Sequence, residues 1–159
     1  MIETSVVVSQ PMLYITTRSS ERPSAIASTI KLSLDQVRRF MDATGIAAAG
    51  DPLGIFSDWN GRLVTLEVGY PVSQQSLSLA SGRIQAGWTP GGSAVLRIFK
   101  GTTADYDRHH EALLEEIRAA GLRTTGTTWE IYRTEHTDAE ALTEFHVQLL
   151  PREPGHDLT

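Results

Sequence analysis

A glutamate stands inside a short apolar run, Trp129-Glu130-Ile131-Tyr132. If this run is a β-strand, alternate side chains share a face, so Glu130 and Tyr132 point one way and Trp129 and Ile131 the other. Burying an unpaired carboxylate costs much free energy. Glu130 is therefore either a solvated residue or part of a pocket that uses its charge, and the residues alone leave both alternatives open.

A buried carboxylate among aromatic side chains would suit a delocalised cation. Each aromatic face contributes about 0.5–2 kcal/mol to the binding of a cation, and Coulomb attraction strengthens where the local dielectric constant is low. Burial also raises the pKa of a carboxyl group, which can then act as a general acid or base on an electrophilic ligand. Glu130 could therefore serve either binding or hydrolysis.

Other kinds of chemistry lack the residues that they need. The 159 residues include no cysteine, which removes disulfides, thiolate nucleophiles and thiolate metal sites. His109 and His110 are adjacent on a predicted helix and point in different directions, which makes a poor metal site. No nucleophile elbow, phosphate loop or dinucleotide fingerprint occurs. We therefore expect no metal and no cofactor.

The charge balance and the termini indicate the surroundings of the protein. With 14 basic and 19 acidic side chains the net charge is -5, which argues against a basic nucleic-acid surface. The sequence contains no stretch of roughly 20 apolar residues that could span a membrane, and its first residues lack a signal peptide. We expect a cytoplasmic protein that contacts neither nucleic acid nor membrane directly.

Two β-α-β-β units follow from the hydrophobic periodicity. The first unit is predicted as a strand over Val6–Thr17, a helix over about Ser24–Thr44, and a hairpin of Leu53–Asp58 and Leu63–Tyr70. The second is predicted as a strand over Gly91–Lys100, a helix that begins at Thr102 or Thr103, and strands over Thr128–Thr134 and Leu142–Leu150.

Corresponding residues of the two units are separated by a constant number of positions in the sequence. Gly45-Ile46 and Gly121-Leu122, each a predicted helix end, are displaced by 76 residues, as are Gly50 and Gly126. We predict an α+β fold of duplicated β-α-β-β units, related by a pseudo-two-fold axis, with antiparallel sheets and a ligand cleft between the halves. The expected domain covers residues 1–151, with repeats at about 5–72 and 82–151 and a flexible tail at 152–159. This leaves no room for an output domain.

Several motifs carry a resemblance to one family. The stretch from Gly126 through the Trp129-Glu130-Ile131-Tyr132 run resembles the signature strand of GyrI-like domains, the effector-binding domains of bacterial transcription activators. Gly91-Gly92-Ser93-Ala94, the segment from Gly101 to Tyr106, and Gly69-Tyr70-Pro71-Val72 are similar to other motifs of that family. The resemblance covers roughly residues 5–151.

The resemblance implies a pocket between the halves, with aromatic residues around a buried glutamate, that takes lipophilic and often cationic aromatic compounds. Glu130 matches that glutamate, and Tyr106 matches a pocket tyrosine at the start of the second helix. Phe56 stands where many members carry a tyrosine. Some stand-alone members are similar to hydrolases that open the cyclopropane ring of DNA-alkylating compounds, and others to inhibitors of DNA gyrase.

We therefore predict binding of bulky aromatic, cationic, lipophilic small molecules. The alternatives are a cofactor-independent hydrolase of electrophilic alkylating compounds and a protein–protein regulator such as a gyrase inhibitor, which would have a protein partner. The predicted ligand-binding residues are Glu130, Tyr106, Tyr132, Trp88, Phe56, Tyr14 and His146. If the protein is an enzyme, Glu130 and Tyr106 are the predicted catalytic residues.

Overall fold

The computed structural model describes residues 2–100, 103–133 and 142–151, without the side chains of Lys100 and residues 103–108. In chain order the strands are β1 (Thr4–Val7), β2 (Pro11–Ser20), β3 (Leu53–Ser57), β4 (Leu63–Pro71), β5 (Gln85–Trp88), β6 (Gly92–Lys100), β7 (Thr124–Tyr132) and β8 (Leu142–Leu149). The helices are α1 (Pro23–Thr44) and α2 (Thr103–Ala119), and a 3-10 segment spans Gln74–Leu79. In the part of the chain described, neither helix is long and apolar enough to cross a membrane.

All eight strands form one antiparallel sheet in the order β1-β6-β8-β7-β3-β4-β2-β5. The order is symmetric about the central pair β7-β3, since each half contributes four strands in corresponding places. The predicted α+β class with antiparallel strands is confirmed, and the two halves share a single continuous sheet.

Both helices cover the same face of the sheet. On α1, Val37 and Met41 are buried against the β2 side chains of Leu13 and Ile15. On α2, Leu113 and Ile117 are buried in a cluster that includes Phe145 of β8. The helices therefore lie over the two flanks of the sheet, and the central strands β3 and β7 lie between those flanks.

The two helix ends have the same geometry. Gly45 and Gly121 adopt φ angles of 74° and 76°, which favour glycine. The following residues donate backbone hydrogen bonds into the last turns, from Ile46 to the Met41 carbonyl at 2.8 Å and from Leu122 to Ile117 at 3.2 Å. The predicted glycine caps are thereby confirmed.

The prediction of one strand over Val6–Thr17 is wrong. The structure divides this segment into β1 and β2, which pair with β6 and β5 near opposite ends of the strand order. Between them, the Thr89 N–H donates to the Gln10 carbonyl at 2.7 Å, and the Gln10 N–H donates to Thr89 Oγ1 at 2.8 Å. The sheet therefore curls so that its two ends meet near these residues, and a straight strand could not follow that path.

The boundaries of the two repeats and of the domain stay predictions. Three predicted features fall outside the described residues: Thr102 as a possible start of the second helix, Thr134 at the end of the strand predicted over Thr128–Thr134, and the tail at 152–159.

Candidate functional site

Along the central strands β3 and β7, successive side chains point to alternate faces of the sheet, as predicted. Trp129 and Ile131 pack with Leu53 and Ile55 on the face without helices. Glu130 has Phe145, a residue packed under α2, as its direct neighbour in β8, so Glu130 lies on the helix-covered face. The strand geometry predicted from the sequence is confirmed at this position.

Glu130 is buried, with 6% of its surface exposed, so the alternative of a solvated residue is excluded. The Tyr132 hydroxyl donates a hydrogen bond to Glu130 Oε1 at 2.7 Å. No Lys, Arg or His of the described residues forms an ion pair with this carboxyl group. Burial raises the pKa of Glu130 to about 7, although the hydrogen bond from Tyr132 opposes the rise.

Tyr132 reaches Glu130 because the neighbouring strand carries a glycine. Gly54 lies opposite Glu130 in β3, and a Cβ atom there would lie 3.0 Å from the Tyr132 hydroxyl oxygen. Burial is the main reason why the pKa of Tyr132 is well above its usual value, and the charge of the Glu130 carboxylate raises this pKa further. Tyr132 therefore stays a hydrogen-bond donor at neutral pH.

A row of aromatic rings extends from β3 to β8. The Phe56 and Trp59 rings stack with centroids 5.9 Å apart, and Trp59 lies 6.4 Å from the His110 ring on α2. His110 in turn meets Phe145 edge-on at 4.8 Å. Phe56 is buried, whereas Trp59 is 40% exposed. The row therefore forms an aromatic wall that runs from the loop after β3 to α2 and β8.

A cavity of about 250 Å³ opens beside this row. Its lining residues are Trp59, His110, Leu114, Thr124, Gly126, Thr128 and Val147. Glu130 does not line the cavity, but it is the next residue after Thr128 on the same face of β7. Since an apolar cavity of about 150 Å³ holds benzene, this volume has room for a small fused aromatic ring system.

A β-bulge forms one side of the cavity. The pairing of β7 with β8 shifts register between Thr124 and Thr128, and Gly126 inside this shift has a φ angle of 90°. Bulges bend the strand locally and are common beside functional sites. The glycine permits the bend and places no side chain in the cavity that it lines.

Thr128 carries a buried hydroxyl group without a partner. The residue is 6% exposed, and its Oγ1 has no hydrogen-bond partner among the described residues. Its direct neighbours in the sheet are Phe56 and Val147, which are both apolar. A buried unsatisfied polar group costs about 1–3 kcal/mol.

The structure brings together three of the predicted ligand-binding residues, which are Glu130, Tyr132 and Phe56. Tyr106 lies on α2, but its side chain is outside the described residues. Trp88 lies on the edge strand β5 and is 53% exposed.

Tyr14 and His146 lie on the opposite face of the sheet, away from the cavity. Tyr14 hydrogen-bonds the half-buried Glu67 carboxyl, and burial raises the pKa of both groups. The buried His146 ring stacks on Trp129 with centroids 4.8 Å apart, and burial lowers its pKa. Neither residue shares a site with Glu130, because the side chain of each points to the opposite face of the sheet.

Several lining residues were missed as site residues by the sequence reasoning: Trp59, His110, Leu114, Thr124, Thr128 and Val147. The sequence analysis names His110 only as a poor metal ligand, and Gly126 only as a repeat marker and as the start of the stretch that leads to Glu130. A glycine followed by a threonine pair just before the glutamate is the local signal of the bulge. Within residues 2–100, 103–133 and 142–151, no three acidic or histidine side chains come together as a metal site.

Known structures share this fold. The C-terminal domain of EcmrR matches with a TM-score of 0.76 at 16% identity, over 94% of this chain and 97% of that one. In the EcmrR–DNA complex, the chain spans 57% of the EcmrR length. SAV2435 bound to tetraphenylphosphonium matches at 0.64 and 9% identity, over 100% and 99% of the two chains.

A hydrolase encoded by lin2189 from Listeria innocua matches with a TM-score of 0.60 at 12% identity, over 94% of this chain and 91% of that one. No protein-family model matches the sequence, and no curated protein sequence is significantly similar to it. At these identities the likeness concerns the fold, which is consistent with the GyrI-like fold.

Proposed function

We propose that the protein binds flat, lipophilic, aromatic cations in the cavity between α2 and the sheet, with the Glu130 carboxylate as the countercharge. The observation that carries the proposal is the burial of Glu130 without a cationic partner among the described residues. Such a carboxylate is costly in the free protein. A cationic ligand would supply the missing charge and offset that cost.

The aromatic row supports the same ligand chemistry. Trp59 and His110 line the cavity, and the buried Phe56 and Phe145 rings pack against them on the helix-covered side, where Glu130 also lies. Ring faces attract cations by about 0.5–2 kcal/mol each, and they exclude water from the carboxylate. Flat walls distinguish poorly among flat ligands, so the site would accept several related compounds.

The volume of the cavity limits the ligand. About 250 Å³ is below the roughly 300–1,000 Å³ of most small-molecule pockets. A cation with two fused rings would fit inside, while a bulkier cation would extend beyond the lining residues. Tetraphenylphosphonium, which SAV2435 binds, is also a lipophilic aromatic cation, but it is tetrahedral and larger than a two-ring cation.

Titration with 1-methylquinolinium, a permanent two-ring cation, tests the proposal. We expect the Glu130→Gln variant to bind it at least about tenfold more weakly than the unmodified protein, since about 1.4 kcal/mol corresponds to tenfold. Glu67→Gln is the matched control, because Glu67 also accepts a tyrosine hydrogen bond but lies on the opposite face. Equal affinities for Glu130→Gln and unmodified protein would overturn the role of Glu130.

A hydrolase is the second candidate function, and the pKa of Glu130 favours it. A carboxyl group with a pKa of about 7 can donate or accept a proton at neutral pH. In the reaction considered, the water oxygen would bond to a cyclopropane carbon while a ring C–C bond breaks. The released electron pair would pass to a conjugated carbonyl oxygen, which would take a proton, while the attacking water would lose a proton to the Glu130 carboxylate.

Incubation with a spirocyclopropyl cyclohexadienone separates binding from hydrolysis. An enzyme would convert this compound to a phenol with the added mass of one water, and Glu130→Gln would abolish the conversion. Binding without conversion would leave the sequestering role, in which the protein lowers the free concentration of toxic cations. A protein–protein regulatory role and a cytoplasmic location stay predictions.

A further inference from the structure

Thr128 combines three properties that the binding proposal does not use. It lines the cavity, it is buried, and its hydroxyl oxygen has no hydrogen-bond partner in the part of the chain that is described. Buried polar groups in native proteins nearly always have partners, so an exception calls for a physical explanation.

The surroundings of Thr128 point to a ligand rather than to water. A buried water needs two to four polar partners. The sheet neighbours Phe56 and Val147 offer none, and Leu114 is also apolar. The polar groups of Trp59, His110 and Thr124 line the same cavity, but none of them forms a hydrogen bond with the Thr128 hydroxyl. A polar group on a ring held between these apolar walls would instead meet Thr128 directly. One staggered step about χ1 exchanges the hydroxyl and methyl positions, so the hydroxyl can turn toward such a group.

The spacing of Thr128 and Glu130 along β7 determines how far apart the two residues lie. Residues two apart on a strand share a face and lie about 7 Å apart. A ligand that places its charge near Glu130 therefore brings ring positions roughly one ring further along close to Thr128.

We propose that Thr128 is a specificity-determining residue of this site, whose hydroxyl binds a polar substituent on a cationic aromatic ligand. The inference rests on the proposed function and refines its ligand class. The preferred ligands are flat cations with an amino or hydroxyl group on the far side of the ring fused to the cationic ring. Cations of the same size without that group bind, but more weakly.

Two matched probes test the inference: 6-amino-1-methylquinolinium and 1-methylquinolinium. We expect the unmodified protein to bind the amino probe roughly three- to tenfold more tightly, which is the usual net effect of one hydrogen bond. Thr128→Val keeps the shape of the side chain without the hydroxyl, so it should abolish the preference for the amino probe over 1-methylquinolinium. Thr128→Ser restores a hydroxyl and should restore the preference.

A thermal melt without ligand provides a second readout. Because Thr128→Val removes an unsatisfied buried hydroxyl, we expect its melting temperature to equal or exceed that of the unmodified protein. Equal binding of both probes by the unmodified protein, or an equal loss for both in Thr128→Val, would overturn this inference alone. If the unmodified protein binds neither probe, the proposed function and this inference fail together.

Discussion

Gly54 lies directly opposite Glu130 across the central strand pair, and the two positions are 76 residues apart in the sequence. The same spacing relates Gly45 to Gly121, which end the two helices with matching geometry. The Gly54–Glu130 pair thus lies on the local axis that relates the two halves. Because one half carries glycine there, the axis holds one carboxyl group, together with the Tyr132 hydroxyl, instead of two mutually repelling carboxylates.

The stability of the free protein should fall as the pH rises because of Glu130. Its pKa is about 7 in the folded protein against 4.5 in the unfolded chain, so the folded state binds the proton more tightly. The free energy of unfolding should therefore decrease by about 3 kcal/mol between roughly pH 4.5 and 7, and then level off. Urea denaturation across this range measures the decrease.

Glu130→Gln isolates this contribution. The variant should lose the Glu130 part of the pH dependence and be more stable than the unmodified protein at about pH 8, where the unmodified carboxyl is charged. Glu3→Gln, a change at an exposed residue, is the control and should follow the unmodified protein. Parallel stability curves for Glu130→Gln and the unmodified protein would show that the carboxyl is not buried in solution.

The hydrogen bond from Tyr132 should hold the pKa of Glu130 lower than burial alone would set it. Tyr132→Phe removes the donor, and Gly54→Ala forces the hydroxyl away with a Cβ atom 3.0 Å from its oxygen. A hydrogen bond to a charged group contributes about 1.5–3 kcal/mol, so each change should raise the Glu130 pKa by roughly one unit or more. Carbon NMR of labelled glutamate carboxyls measures this value.

Tyr70→Phe is the control for the titration, because Tyr70 is buried under α1 and packs in a different cluster. It should leave the Glu130 titration unchanged. A Glu130 pKa that does not move in Tyr132→Phe would refute the hydrogen bond, and an effect confined to Tyr132→Phe would refute the steric role of Gly54.

Ligand binding in the cavity should be visible in the fluorescence of one tryptophan. Trp59 lines the cavity, Trp129 is buried on the opposite face, and Trp88 is exposed on β5. Quinolinium cations quench indole on contact, so saturable quenching by 1-methylquinolinium should be largely lost in Trp59→Phe and retained in Trp88→Phe. Saturable quenching that disappears with Trp88 would place the ligand elsewhere.

The sequence was sufficient for features that depend on local order. The alternation around Glu130 separates its face from that of Trp129 whatever the rest of the chain does. The Gly45 and Gly121 caps were likewise predictable, because each depends on a glycine and an apolar neighbour within one turn.

Features that depend on distant pairing could not be predicted. The break between β1 and β2 follows from the curl of the sheet, which joins Gln10 to Thr89 far along the chain. The alternation of side chains shows which residues share a face with Tyr14 or His146. It does not show which face of the sheet the helices cover. The cavity depends on the register shift between two strands, which becomes visible only when both are placed.

The proposed binding of cations depends most on the charge of Glu130. The direct measurement is the ratio of affinities for 1-methylquinolinium and for neutral 4-methylquinoline, at about pH 8, where both the Glu130 carboxyl and the neutral probe are deprotonated. We predict that the unmodified protein prefers the cation by at least about tenfold, and that Glu130→Gln loses this preference while it still binds the neutral ring. The same preference for the cation in both proteins would contradict the proposed role of the Glu130 charge.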